Sequence, residues 1–228
     1  MKIGIHQPNY IPWIGYFYKI YKSDIFIFLD DVQYEKNGYS DRNCIKTPQG
    51  MCYLKIPVEL QSSKTNYNKV RIKNELGWKE KHLKTISMNY KKSKYYDVVY
   101  SDLVNIYYNS FEDLSSFNIE LIKCICTKLN INTKFLISSE LDITGMSTER
   151  LINIINKCNG NYYLSGLGGK NYQDELLYKE NNIELEYLNI KLPSYNQLWG
   201  DFIPNLSILD LLFNCGYEKA ADIIANME

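Results

Sequence analysis

The sequence predicts an α/β fold built around a mostly parallel sheet. Two observations carry this. Residues 2–6 and 24–29 are short, almost wholly apolar runs separated by one helical stretch, the pattern of strands buried on both faces. A second alternation of helix, strand, turn, helix and strand closes the chain between residues 148 and 188.

In the first unit, residues 12–22 place Ile14, Phe17, Ile20 and Tyr21 at spacings of three, three and one, close to one helix face. Strand, helix and strand within 30 residues form a βαβ unit, whose crossover is right-handed in nearly all proteins. Residues 30–73 differ: short β-prone runs at 38–46, 51–58 and 69–73 flank Pro48-Gln49-Gly50, so 38–58 reads as a hairpin. Helical periodicity covers roughly 77–91, 94–109 and 114–129, and residues 133–138 return to strand character. A helix follows from Thr148 to about Cys158, with Ser147 as its expected cap and Gly160 as its stop. Strand 162–165, a short helix near 173–181 and strand 183–188 complete the second unit, and the last 25 residues read as two helices parted at Asn214-Cys215-Gly216. The expectation is one Rossmann-like α/β domain over 1–228, with a β-hairpin extension and a helical subdomain at about 75–130.

Composition narrows the function. Lysine plus arginine (26) equals aspartate plus glutamate (26), so no basic excess points to nucleic acid as the main partner. No apolar run approaches the ~20 residues of a bilayer span, and the amino terminus lacks a signal-peptide pattern. The six cysteines form no CxxC pair and are too dispersed for a zinc cage. The expected compartment is a reducing cytoplasm. No metal signature, GxSxG elbow, P-loop or GxGxxG fingerprint is present.

The candidate site gathers where strands end. His6 closes the first strand, facing the amino end of the next helix, where open α/β sheets place ligands. A histidine there titrates near neutral pH and suits proton transfer; otherwise it hydrogen-bonds a loop. Asp30 and Asp31 follow the second strand at once, so they either orient the imidazole, act as a poised acid–base pair, or cap a turn. Arg42, beside Asn43 in the next strand, either grips a phosphate or carboxylate or ties to those acids, with Lys36 a second cation within reach. Ser165-Gly166-Leu167-Gly168-Gly169-Lys170 follows a strand and is either an anion-binding turn or an ordinary one. Asp210 falls inside an apolar helix and must be paired or turned to water, with Asn205 or Ser207 capping that helix. His82, in Lys79-Glu80-Lys81-His82-Leu83-Lys84, reads as part of a solvated face with no role.

Three ordered motifs, HQPNYIPWIGYF at 6–17, DDVQYEKNGYSDRN at 30–43 and FIPNLSILDLLFNCG at 202–216, together with SGLGGK, resemble the WbqC-like proteins along nearly the whole chain. That resemblance implies surface-polysaccharide (O-antigen) biosynthesis, with transfer of an acyl or aminoacyl group such as glycine to the amine of a nucleotide-linked amino sugar. The implied partners are the nucleotide-linked sugar and an acyl donor, while the cofactor and any need for a divalent ion stay open. The oligomeric state stays open, a homo-oligomer included. Placement then assigns His6 as general base oriented by Asp30 or Asp31. Lys36, Arg42, Gly166, Gly168, Gly169 and Lys170 would hold the diphosphate. Tyr10, Trp13 and Tyr16 would stack on base or sugar, and Gln7 and Asn43 would donate to the oxyanion. The alternatives are a nucleotidyl-transfer-type or other sugar-nucleotide enzyme, weakened by the absence of HxGH, and a non-catalytic partner of polysaccharide enzymes.

Overall fold

The computed structural model describes residues 1–227 as a five-stranded parallel sheet covered on both faces. The sheet comprises β1 (Lys2–His6), β2 (Ile25–Phe28), β7 (Lys134–Ile137), β8 (Tyr162–Gly166) and β9 (Glu184–Leu188) in the order β7-β2-β1-β8-β9. Two antiparallel hairpins stand apart from it: β3 (Arg42–Thr47) with β4 (Gly50–Lys55), and β5 (Val58–Glu59) with β6 (Arg71–Ile72). The β3–β4 turn falls at Pro48-Gln49, as the turn residues predict.

The first βαβ unit forms as its apolar spacing requires, with α1 (Ile14–Tyr21) joining β1 to β2. Gly4 has no Cβ because one would collide with Ser23 Oγ and lie 2.9 Å from Phe26, so the strand and the turn after α1 close tightly. From β2 the chain reaches the outer strand β7 through α2 (Trp78–Tyr90), α3 (Tyr96–Tyr107) and α4 (Leu114–Lys128). It then returns through α5 (Ser147–Lys157) to β8 on the far side of β1, and through α6 (Glu175–Glu180) to β9. The order therefore reverses between β1 and β8, which makes the crevice at their carboxyl ends the topological switch point.

Alternation along the strands splits the interior. Ile3, Ile5, Ile25 and Ile27 face α5 and α6, with Ile154, Ile155 and Tyr178. Phe26, Phe28 and Leu164 face the opposite core, which α1, the hairpins, α2–α4 and α7 (Ile208–Ala225) share as one continuous cluster. The carboxyl-terminal helices join end to end as α7 around Gly216, whose φ of 78° breaks the helical path while Tyr95 occupies the space of a side chain. Ser207 caps α7 through its hydroxyl. Ser147 does not cap α5; it is the first helical residue, at φ 49°, and Met146 holds the cap position without a side-chain bond.

Asp210 is fully buried yet satisfied, accepting from Tyr90 Oη at 2.8 Å and Tyr195 Oη at 2.9 Å. His82 departs from the solvated face read in the sequence. It is buried, with Nδ1 on Tyr10 Oη at 2.8 Å and Nε2 on the Lys55 carbonyl at 3.1 Å. Trp78, His82, Ile86 and Tyr90 line one helix face at intervals of four, and that face meets the core. Among the described residues no helix is long and apolar enough to cross a membrane.

Candidate functional site

The segment after β1 is a scaffold pinned through its carbonyls. Pro8 O accepts from Asn118 Nδ2 at 2.9 Å and from the Tyr67 hydroxyl, and Asn43 Nδ2 donates to Tyr10 O and Ile11 O at 3.2 and 2.9 Å. Ile11 sits at φ 34°, an outlier for a β-branched residue, and these bonds hold it there. The Gln7 carbonyl accepts twice, from Tyr16 Oη at 2.9 Å and from His6 Nδ1 at 3.0 Å. A carbonyl can only accept, so Nδ1 carries the proton and Nε2 is the acceptor atom of the ring. Tyr16 meets the imidazole edge-on with centroids 4.9 Å apart.

This pinned segment borders a two-lobed cleft at the carboxyl ends of β1 and β8. The larger lobe, about 290 Å³, is bounded by Gln7, Glu35, Ser165, Gly168, Gly169 and Tyr172. The smaller, about 120 Å³, is mostly apolar, with Trp13, Gly15, Tyr16, Leu167, Leu188 and Ile190 around it. His6, Lys19 and Gly166 belong to both lobes and mark their junction. Trp13 folds over Gly15, where any Cβ would overlap the indole, so that glycine lets the ring form one wall.

Lys19, which the sequence reading missed, is 3% exposed. Its Nζ donates to Ile5 O at 2.6 Å and lies 5.9 Å from the centre of the Tyr163 ring. Among the described residues no carboxylate pairs with it. Burial lowers its pKa from the ordinary 10.5 to about 7, because an ammonium loses its hydration there. Burial also lowers His6 to about 4, assisted by the Lys19 charge and opposed by the bond to Gln7. At neutral pH the imidazole is therefore uncharged and the amine is near half-protonation. The signal for Lys19 was present: α1 is buried almost all round from Ile14 to Ile20, so a lysine within it has no solvated face to occupy.

Several predicted residues lie elsewhere. Asp30 and Asp31 do not orient His6. Asp30 accepts from Ser138 Oγ, Ser139 N and Ser139 Oγ at 3.1, 3.0 and 2.8 Å, and Asp31 accepts from Ser138 Oγ and pairs with Arg150. The chain leaves β2 toward β7, so both acids tie that strand end and α5 together instead. Arg42 donates to Asn37 O at 2.5 Å and stacks over Tyr53 at 5.3 Å. Asn43 is buried, its amide spent on backbone groups. Tyr10 is buried, bonded to His82 and Tyr107. Lys36 is exposed and borders neither lobe, and Lys170 lies over Tyr187 at 5.1 Å, also outside both lobes. The structure does bring together His6, Gln7, Trp13, Tyr16, Gly166, Gly168 and Gly169.

Gly166 and Gly168 differ from Gly169. A Cβ at either of the first two meets nothing within 4 Å, whereas one at Gly169 would overlap Ser165 Oγ and lie 2.8 Å from Gln173 Nε2. Gly166 has φ −73° and ψ 156°, open to any residue, so neither strain nor packing explains its missing side chain. At Gly166 and Gly168 the backbone is left bare to the larger lobe.

Comparison with known proteins agrees with the motifs. An uncharacterized protein of Mycobacterium tuberculosis, Rv1507c, is 35% identical over 219 residues, covering 95% of each chain. No solved structure matches. Residues 7–222 match the WbqC-like protein family, from the pinned segment after β1 through most of α7, and the chain belongs to that family.

Proposed function

We propose that the protein is a transferase of surface-polysaccharide biosynthesis, moving an acyl or aminoacyl group from an activated donor to the amine of a nucleotide-linked amino sugar. The observation that carries this reading is the junction of the cleft, where an uncharged imidazole with Nε2 as acceptor sits between a lobe of mixed polarity and an apolar one. Two reactants entering the two lobes meet at that point, and holding them there converts a bimolecular step into a unimolecular one.

In the step, the sugar nitrogen attacks the donor carbonyl and a C–N bond forms. The bond from that carbon to the leaving group breaks, and the leaving group departs with the electron pair. The amine proton passes to His6 Nε2 and from there to the leaving group, so His6 ends neutral. The fixed tautomer matters: were Nδ1 the free atom, the lone pair would face the Gln7 carbonyl. Tyr16 holds that carbonyl in place.

The test is mass spectrometry of UDP- and dTDP-linked amino sugars incubated with the protein and with ester or thioester donors of acyl and aminoacyl groups. The expected result is a mass gain of one acyl unit on the sugar nitrogen, abolished in His6→Ala with the melting temperature retained. Acylation that persists in His6→Ala, or a changed nucleotide with an unaltered amine, overturns the reading.

A further inference from the structure

We infer that Lys19 is the anion-binding residue of the cleft, holding a phosphate oxygen of a nucleoside diphosphate at the junction beside His6. This rests on the proposed site but not on the proposed reaction.

Lys19 is buried in the wall of an open cleft and belongs to both lobes, and among the described residues its ammonium meets a backbone carbonyl and a ring face. A lysine ammonium has three donors and is rarely buried without an acid to pair it. The charged groups around it supply none: His6 on β1 is neutral or cationic, Tyr163 on β8 and Tyr16 on α1 have their hydroxyl pKa values raised by burial, and Tyr172 is exposed. Glu35, the one carboxylate in the lining among the described residues, is exposed in the larger lobe and screened by water there. An incoming anion therefore supplies the charge that the fold withholds. Lys36, Arg42 and Lys170, the cations the sequence offered, lie outside the lobes.

Gly166 also belongs to both lobes, and it and Gly168 lack a side chain where one would fit without contact. Bare backbone thus shares the junction with the lysine and leaves room for a bulky, multiply charged group. A phosphate held there would also stabilise a proton on His6, offsetting the charge of Lys19 that disfavours it. Substrate binding would thus raise the basicity of the imidazole.

The inference has a thermodynamic signature. With Lys19 near 7 in the free protein, an anion that fixes its charge draws in about 0.8 of a proton per site at pH 7.5. Titration calorimetry of UDP, in two buffers of different ionisation enthalpy, measures this, while inorganic pyrophosphate, which itself carries a proton at this pH, reports affinity alone. Sodium acetate in parallel separates phosphate recognition from capture of any carboxylate.

Lys19→Met should weaken UDP and pyrophosphate binding by about 10- to 100-fold, the loss expected for a charge-assisted bond, and abolish proton uptake. Lys19→Arg should keep most of the affinity while also losing the uptake, since guanidinium is always charged. Wild-type protein that binds neither probe, binds acetate equally well, or binds UDP without proton uptake overturns the inference, as does unchanged affinity in Lys19→Met. UDP binding through Lys19 without acyl transfer to any amino sugar would instead refute only the proposed reaction.

Discussion

Replacing Gly166 by alanine should leave the protein as stable as before or slightly more so, while the same change three residues later should damage it. At Gly166 the new methyl group meets nothing within 4 Å and the backbone already lies in a region open to alanine. Loss of glycine's freedom in the unfolded chain then contributes about 0.4–1 kcal/mol of stability. In a protein of this size that corresponds to a rise in Tm of about 1–4 °C. At Gly169 the methyl overlaps Ser165 Oγ and crowds Gln173 Nε2, which already hydrogen-bonds that hydroxyl at 3.2 Å. Overpacking of this kind costs about 1–3 kcal/mol, a fall of about 2–12 °C. The assay is paired: thermal unfolding by circular dichroism, and UDP affinity by calorimetry. Gly166→Ala should bind UDP at least several-fold more weakly despite its intact Tm, because its methyl occupies the junction. A Gly166→Ala protein that melts early, or that binds as well as the wild type, refutes the argument that this glycine serves a ligand.

Other outcomes follow from the same geometry. Asp30→Ala strips three bonds from the β2–β7 edge and should cost about 2–4 kcal/mol of stability in urea unfolding, while the His6 titration stays unmoved; a large shift of that titration would restore the acid–imidazole pairing. Both histidines have folded pKa values of about 4, below the ordinary 6.5, so the unfolded chain binds more protons between those values. Their contribution is complete above pH 6.5 and lost as pH falls toward 4, and NMR of the two ring signals should place both midpoints near 4, a value near 6.5 contradicting burial. Lys19 follows the same sign at higher pH: stability falls as pH drops from 10.5 toward 7, so Lys19→Met should raise Tm more at pH 7 than at pH 10.

The sheet was legible because its inner strands are buried along most of their length and read as largely apolar runs, and the turn at Pro48-Gln49-Gly50 marked the first hairpin. His6 at a strand end was legible for the same reason: a parallel strand puts its last residue at the ligand edge. What local pattern could not supply is direction. Whether Asp30 and Asp31 turn toward β1 or β7 depends on Ser138, Ser139 and Arg150, more than a hundred residues away. Arg42 and Asn43 belong to a hairpin outside the main sheet, so their closeness in sequence to the second strand carried no information about the cleft. Tyr10 and Asn43 in the shared motifs serve the pinned loop rather than a ligand, which shows how motif residues can act one step behind a site. His82 was misread by residue type, since polarity suggested solvent where the helical intervals pointed inward, and Lys19 was passed over although its helix is apolar almost all round.

A crystal structure of the protein with a UDP-linked amino sugar tests the central claim most directly. The diphosphate should lie between Lys19 Nζ and the backbone at Gly166 and Gly168, with the sugar nitrogen within hydrogen-bond reach of His6 Nε2. Density for the ligand in another hollow, such as that between Tyr95 and Asn226, with the β1–β8 cleft holding only water, would contradict it.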